Sequence, residues 1–420
     1  MVFGAPGAIK GKIISLSLFM KKIIFINRYF YPDHSATSQM LSDLAFGLAE
    51  KSEKEEIHIV TSRQRYDDAS ARLPEFEKVN NVHIHRVWTS SFGRQNLIGR
   101  AIDYLSFYLS AAIKLLQITK HGDILVAKTD PPLISVVVAF VARLKKAELI
   151  NWLQDLFPEV AAELGIKIIQ GKLYQVLKYI RNKTLQQAKM NIAIGELMAE
   201  KLRKEGIPDE KITVIHNWAD GEQIKPIPHD KNPLRKDWGL DNKFVVGYSG
   251  NLGRSHDFST ILAAAEALKD NPKIKFLFIG SGAQLPGIKQ HCKEKGLNNV
   301  MFKPYQPREK LDQSLSVSDV HLISLKPELE GLIVPSKFYG ILAAGRPVIY
   351  IGSQKGELAN IIKHENCGKL VNQNRYKDLV KAINTEMNFF KLNKSNIKEI
   401  FDKNFSKVIS IEKIQTLLSG

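Results

Sequence analysis

At 420 residues the chain is too long for one compact core, and 44% hydrophobic with 25% charged residues is the balance of a globular protein. A formal charge of +17 points to anionic partners, either phosphorylated ligands or anionic lipid, while the absence of an aromatic RNP pattern or zinc-finger spacing argues against nucleic acid. Cys292 and Cys367 have no motif spacing, which excludes a disulfide framework and fits a reducing compartment.

Residues 1–19 read as an upstream extension, expected to be disordered, ahead of a natural start at Met20; they lack the apolar run and small-residue cleavage site of a signal peptide. From Met20 onward, strand and helix patterns alternate. "KKIIFIN" is a strand, and Ser38–Lys51 is a helix with Met40, Leu41, Leu44 and Leu48 on one side. "EIHIVTS", "VHIHRVW", "DILVAKT", "ELINWLQD" and "MNIAIG" follow as short β-rich runs. No segment is expected to span a bilayer; "PPLISVVVAFVARL" comes nearest and reads as a core helix. Pro, Asp and Lys crowd residues 209–232, which read as a linker. A second series then begins: strands "FVVGYSG", "KFLFIGSG", "VMFKPY", "DVHLISL" and "PVIYIG", with helices between them. The predicted architecture is α/β, two Rossmann-like domains at 20–208 and 233–400 facing across a cleft, with a helix at 401–420 crossing back to the first domain.

Ligands in such sheets bind beyond the carboxyl ends of the strands. There, Gly250 and Asn251 follow one strand, Gly280 and Gly282 the next, and Tyr305 stands in the turn after "VMF", able to face a flat base. Arg254 adds a forked cation. In "EGLIVPSKFYGILAAGRPVIYIG", Pro335 and Ser336 suit a helix start, Gly345 and Pro347 its end. Glu330, Gly331, Ser336 and Lys337 then surround a helix N-terminus suited to an anion, although an ordinary αβ unit with a surface lysine fits the same letters. His83 and His85 share a strand face; a metal site or a solvated face are both open, with no third ligand evident. The stretch 93–120 carries Ile102, Leu105, Phe107, Leu109, Ile113 and Leu116, punctuated by Arg94, Arg100 and Lys114. It reads either as a helix lying on an anionic membrane surface or as a core helix.

These motifs together resemble a family 4 glycosyltransferase, the retaining group with the GT-B fold, over nearly everything from Met20 to the C-terminus. "INRYFYPDHSATSQMLSDLAFGLAEK", "ITVIHNWAD", "GYSGNLG" and "ILAAGRPVI" carry the likeness. "INWLQDLFPE" and "VPSKFYGILAAGRPVIYIG" are most similar to bacterial enzymes that add N-acetyl-fucosamine or related deoxy-amino sugars in surface-polysaccharide assembly. The resemblance implies transfer from a UDP-sugar to a polyprenyl-diphosphate-linked saccharide, at the cytoplasmic face of the inner membrane, with no metal and no cofactor. It implies Arg254 and Lys337 as charge stabilisers of the leaving diphosphate. It also implies Asp155 as acceptor-orienting residue or proton acceptor, with Glu159 second, against the alternative of a helix-capping Asp. Asn27, Arg28 and the "DHSATS" loop would shape the acceptor side. The chain departs from the family where two glutamates are expected: Ile333 and Gly340 stand there, and Asn251 replaces an arginine. Rival readings are a non-hydrolysing UDP-sugar 2-epimerase and a non-catalytic nucleotide-sugar-binding protein.

Overall fold

The structure, a computed structural model, describes residues 20–419 apart from 53, 67, 94–96 and 390–395; the extension expected at 1–19 and Arg94 lie outside the described residues. Among the described residues, fourteen strands form two sheets. The first contains β1 (Lys21–Ile26), β2 (Glu55–Ser62), β3 (Phe76–Val79), β4 (Val82–Val87), β5 (Ile124–Ala127), β6 (Glu148–Trp152), β7 (Met190–Ala193) and β8 (Ile212–Val214). Its order is β3-β4-β2-β1-β5-β6-β7-β8, parallel except for the β3–β4 hairpin. The second contains β9 (Phe244–Ser249), β10 (Ile274–Ile279), β11 (Val300–Lys303), β12 (Val320–Ser324), β13 (Val348–Ile351) and β14 (Gly368–Val371), all parallel in the order β11-β10-β9-β12-β13-β14.

Parallel strands are covered on both faces, so their sequences are continuous apolar runs. All four residues of β5 and of β13 are buried. Strand order reverses beside β1 and again beside β9. Each reversal splits the flanking crossovers to opposite faces and leaves a crevice beyond the carboxyl ends, where a ligand can sit. The residues just after β1 and β5 face one crevice, those after β9 and β12 the other.

Three features differ from the expectations. β8 lies inside the stretch read as linker, where Ile212 pairs with Asn191 and closes the first sheet. The edge strands β3 and β14 have too few apolar residues to stand out as strands; the β3 side chains alternate exposed and half-buried. The third concerns α2 (Leu97–Ile118), which among the described residues is long and apolar enough by length and composition to cross a membrane. Phe107, Ala111 and Leu115 nevertheless pack into the core, so one side of this helix belongs to the domain.

The helix Lys407–Ser419 packs Ile411, Ile414 and Leu418 into the cluster formed by Leu41, Leu44 and Leu48 of α1 (Ala36–Lys51). Gly47 makes room for it: a Cβ there would lie 2.6 Å from Ile411 Cδ1. Between the two sheets runs one apolar cluster joining Leu153, Leu156, Leu185 and Met198 to Leu329, Leu332, Phe338 and Tyr339. The halves therefore meet through a shared core below the cleft.

Candidate active site

The loops after β9, β10 and β11 nest against one another through glycines. Gly250 and Gly280 have φ of +121° and +137°, backbone conformations that side chains disfavour. A Cβ on Gly280 would lie 2.1 Å from the Gly250 carbonyl oxygen and 3.3 Å from the Tyr305 ring. On Gly282 it would lie 2.5 Å from the Leu252 oxygen and 2.6 Å from Asn251 Oδ1. Gly250, Asn251, Gly280, Gly282 and Tyr305 thus form one wall, as the sequence suggested.

Lys337 reaches this wall from the first turn of the helix Lys337–Ala343, beyond β12. Its Cε lies 3.3 Å from where a Gly250 Cβ would stand, and its Nζ sits 3.7 Å from the centre of the Tyr248 ring. That nitrogen is buried and meets no hydrogen-bond partner among the described residues. Burial without a counter-charge pulls the lysine down to about 7. A cation–π contact returns part of the lost hydration but supplies no negative charge. His256, hydrogen-bonded to the Ser324 carbonyl at 2.5 Å, is pushed to about 3 by burial and then by the Lys337 charge. The arrangement is a prepared cation with no carboxylate beside it among the described residues.

Other expected residues lie elsewhere. Arg254 is exposed: Leu252 and Gly253 turn inward and the next residue is on the surface, so the arginine does not share the buried position of the lysine. Ser336 does not cap its helix, because its φ of −62° and ψ of −21° are already helical and leave the hydroxyl unable to reach back to the amides. Glu330 accepts from the Tyr350 hydroxyl and, at 3.2 Å, from the Glu357 amide, so both carboxylate oxygens hold the second domain together. Gly331, with φ of +71°, abuts the backbone of Leu197, 2.9 Å from its would-be Cβ; it belongs to the contact between domains.

That contact also places Asp155. It forms an antiparallel bridge with Ile333, and the Leu156 amide donates to the Leu332 carbonyl at 3.0 Å. The first domain's strand end is thereby fastened to the loop that delivers Lys337. Asp155 Oδ1 is buried without a partner among the described residues. Burial, and then the charge of Asp130, raise its carboxyl to about 7, with the Thr129 hydroxyl acting in the opposite sense. Glu159 is occupied by Arg181, 2.7 Å away.

Sequence reasoning missed Lys128, Thr129 and Asp130. Lys128 is buried after β5, donates to the Thr37 carbonyl at 2.7 Å, and stacks 4.0 Å from the centre of the Trp152 ring; burial brings it to about 7. A lysine between a four-residue apolar strand and "TDPP" was the available signal. Arg28 is held between the Tyr29 and Tyr104 rings and pairs with Asp103 of α2 at 3.7 Å. The two histidines of β4 gain a third neighbour, His58 of β2. Its Nδ1 bonds His85 Nε2 at 3.0 Å and its Nε2 bonds Glu56 at 3.1 Å. These nitrogens are spent on one another, and among the described residues no group of three ligands is placed to hold a metal ion.

Residues 230–399 match the family model of the group 1 glycosyl transferases. Over its second domain the chain is thus similar to the group 1 glycosyl transferases. It is 26% identical over 325 residues to the probable glycosyltransferase WbjE of Pseudomonas aeruginosa, covering 76% of this chain and 80% of that one. It is also 28% identical over 227 residues to the putative colanic acid biosynthesis glycosyl transferase WcaI of Escherichia coli K12, covering 53% and 55%. The solved structure of Anabaena Alr3699/HepE with UDP and glucose superposes with a TM-score of 0.70 at 19% identity, over 95% of this chain and 99% of that chain. WaaG, a glycosyltransferase involved in lipopolysaccharide biosynthesis, gives 0.70 at 13% identity over 95% and 100%. The chain therefore has the two-domain GT-B fold.

Proposed function

We propose that this transferase moves a deoxy-amino sugar of the N-acetyl-fucosamine type from a UDP-sugar to a polyprenyl-diphosphate-linked saccharide, with retention and without a divalent ion. The product would feed O-antigen, capsule or exopolysaccharide assembly. The observation that carries the donor side is the buried, partnerless Lys337 ammonium beside Gly250. A leaving diphosphate develops negative charge as the glycosidic bond breaks, and a fixed cation in a dry site stabilises that charge more than it stabilises the ground state. Asp155, across the seam, takes the proton of the acceptor hydroxyl. The similarity to WcaI, a putative colanic acid biosynthesis glycosyl transferase, and to HepE, solved with UDP, supports the polysaccharide setting and the UDP donor.

The acceptor side is supported by the surface of the first domain. Ile98, Ile102, Leu105, Leu109 and Ile113 recur at helical spacing along α2, and Leu105 and Leu109 are 63% and 66% exposed. α3 (Ile134–Lys145), packed against α2, adds exposed Phe140 and Leu144. α4 (Glu159–Glu163) leads to α5 (Gly171–Gln187), packed against α3, which adds Leu173, Val176 and Tyr179. Arg143, Lys145, Lys172 and Lys183 share those helices. An apolar surface with basic neighbours suits the cytoplasmic, anionic face of a membrane that carries the lipid-linked acceptor.

The test is UDP release from a panel of UDP-sugars, with and without lipid-linked acceptor, in the presence of EDTA. Acceptor-dependent release with a retained anomeric configuration is expected. Donor binding without release would instead favour a nucleotide-sugar-binding protein, and conversion of the donor sugar without acceptor would favour a 2-epimerase. Abolition of release by EDTA would overturn the metal-free mechanism.

A further inference from the structure

Beyond the ends of β5 and β6, walled by α3 and α5, lies a pocket with room for about two water molecules. Four side chains line it with a buried atom that makes no well-formed hydrogen bond among the described residues: Asn151 Oδ1, Arg181 Nη1, Thr129 Oγ1 and Asp155 Oδ1, the last two side chains lying near enough for the hydroxyl to lower the carboxyl. Asn151 and Arg181 are 0% and 5% exposed. The rest of each is committed. Arg181 gives Nη2 to Glu159 and Nε to Asn182, both at 2.7 Å, and Asn151 gives Nδ2 to Asn191 at 2.9 Å. The leftover atoms are therefore fixed in direction and share one small space.

Their chemistry selects the guest. Arg181 offers a donor, Asn151 an acceptor, and Thr129 and a protonated Asp155 can do either. An anion would meet the Asn151 and Asp155 oxygens, a cation would meet Arg181 and Lys128, and an apolar guest would satisfy none of the four. Water satisfies all of them, at the two to four bonds each that buried water typically makes.

We propose that this pocket holds an ordered pair of water molecules linking Asp155 to Arg181, and that Thr129, Asn151 and Arg181 are positioning residues for the proton that Asp155 accepts. The inference rests on the transfer reading above. In that reaction the acceptor O–H bond breaks as its oxygen bonds the anomeric carbon, and the bond from that carbon to the diphosphate oxygen breaks. The proton moves to Asp155. Between turnovers it passes to the pocket water, and a proton leaves from the second water to bulk solvent, restoring the carboxylate. The charged groups around Asp155 are Asp130 and Lys128 beyond β5, and Arg181 of α5 with its partner Glu159 of α4.

A high-resolution crystal structure of the resting protein, together with kinetics of Thr129→Val and Thr129→Ser, tests this. Two ordered waters bonded to the four named atoms are expected in the wild type. Thr129→Val, with an unchanged melting temperature, should lower kcat about tenfold at constant KM and enlarge the solvent deuterium isotope effect, and Thr129→Ser should restore both. A dry pocket in the wild type, or an unaltered kcat and isotope effect in Thr129→Val, would overturn the proposal. The water is read in the protein without substrate, so a dry pocket refutes the relay alone, whereas absence of UDP release with every acceptor refutes the transfer.

Discussion

Lys337→Met isolates the prepared cation. Lowering a lysine from 10.5 to about 7 corresponds to about 5 kcal/mol against the charged form in the folded chain. Below pH 7 both folded and unfolded chains carry the charge, so the fold bears that whole penalty. Between pH 7 and 10.5 the unfolded chain holds a proton that the folded chain has lost, so this lysine's contribution makes stability rise with pH. Methionine keeps the length of the side chain and removes the charge. The variant should therefore melt several degrees above the wild type at pH 6, with the difference shrinking toward zero by pH 10. Binding should move the other way: UDP loses a charge-assisted contact of about 1.5–3 kcal/mol, roughly ten- to a hundredfold in Kd. Calorimetry at pH 8 in two buffers of different ionisation enthalpy should also show proton uptake on UDP binding to the wild type and less in the variant. A variant that melts lower than the wild type at pH 6, or binds UDP as tightly, would refute the reasoning.

Asp155→Asn should reduce kcat by about a hundredfold or more and remove the rising limb of the pH–rate profile near 7. The wild-type carboxyl is raised on folding, so its contribution to stability is present below about pH 4 and lost as pH climbs through 7; the variant should gain in melting temperature at pH 8 relative to pH 4. Gly280→Ala should lower the melting temperature and abolish UDP binding, since its Cβ would sit 2.1 Å from the Gly250 oxygen. Gly287→Ala, with nothing within 4 Å of the new Cβ in the helix Leu285–Glu294, should instead stabilise by about 0.5–1 kcal/mol by denaturant titration, without changing affinity. Leu105→Glu with Leu109→Glu should preserve the melting temperature and UDP binding while weakening sedimentation with anionic vesicles; unchanged sedimentation would remove α2 from the membrane contact.

Much of the fold was legible because a parallel sheet writes itself twice, as buried apolar strands and as amphipathic helices between them. "KKIIFIN" and "PVIYIG" became β1 and β13 with their expected buried runs. What escaped were elements whose stability comes from a neighbour. The three residues of β8 are half-buried and carry no strong pattern; β7 supplies their hydrogen bonds. β3 is a strand because β4 turns back upon it. In α2 the apolar residues exceed one helical face, so sequence could not apportion Phe107 to the core and Leu105 to the surface.

The candidate site divides along the same line. Glycines after buried strands are visible in sequence because their role is conformational, and Gly250, Gly280 and Gly282 gathered as expected. Charges are harder, since a letter does not say which way a side chain leaves the backbone. Arg254 and Lys337 look alike on paper, yet one ends in solvent and the other under Tyr248 without an anion. Lys128 looked like the tail of a strand and proved as buried as the core around it. In each case the deciding quantity is the cost of dehydrating an ammonium, which depends on packing from distant segments. For Lys337 those segments include Tyr248 and Gly250 at the end of β9, more than eighty residues earlier in the chain, so its burial cannot be read from the letters around it.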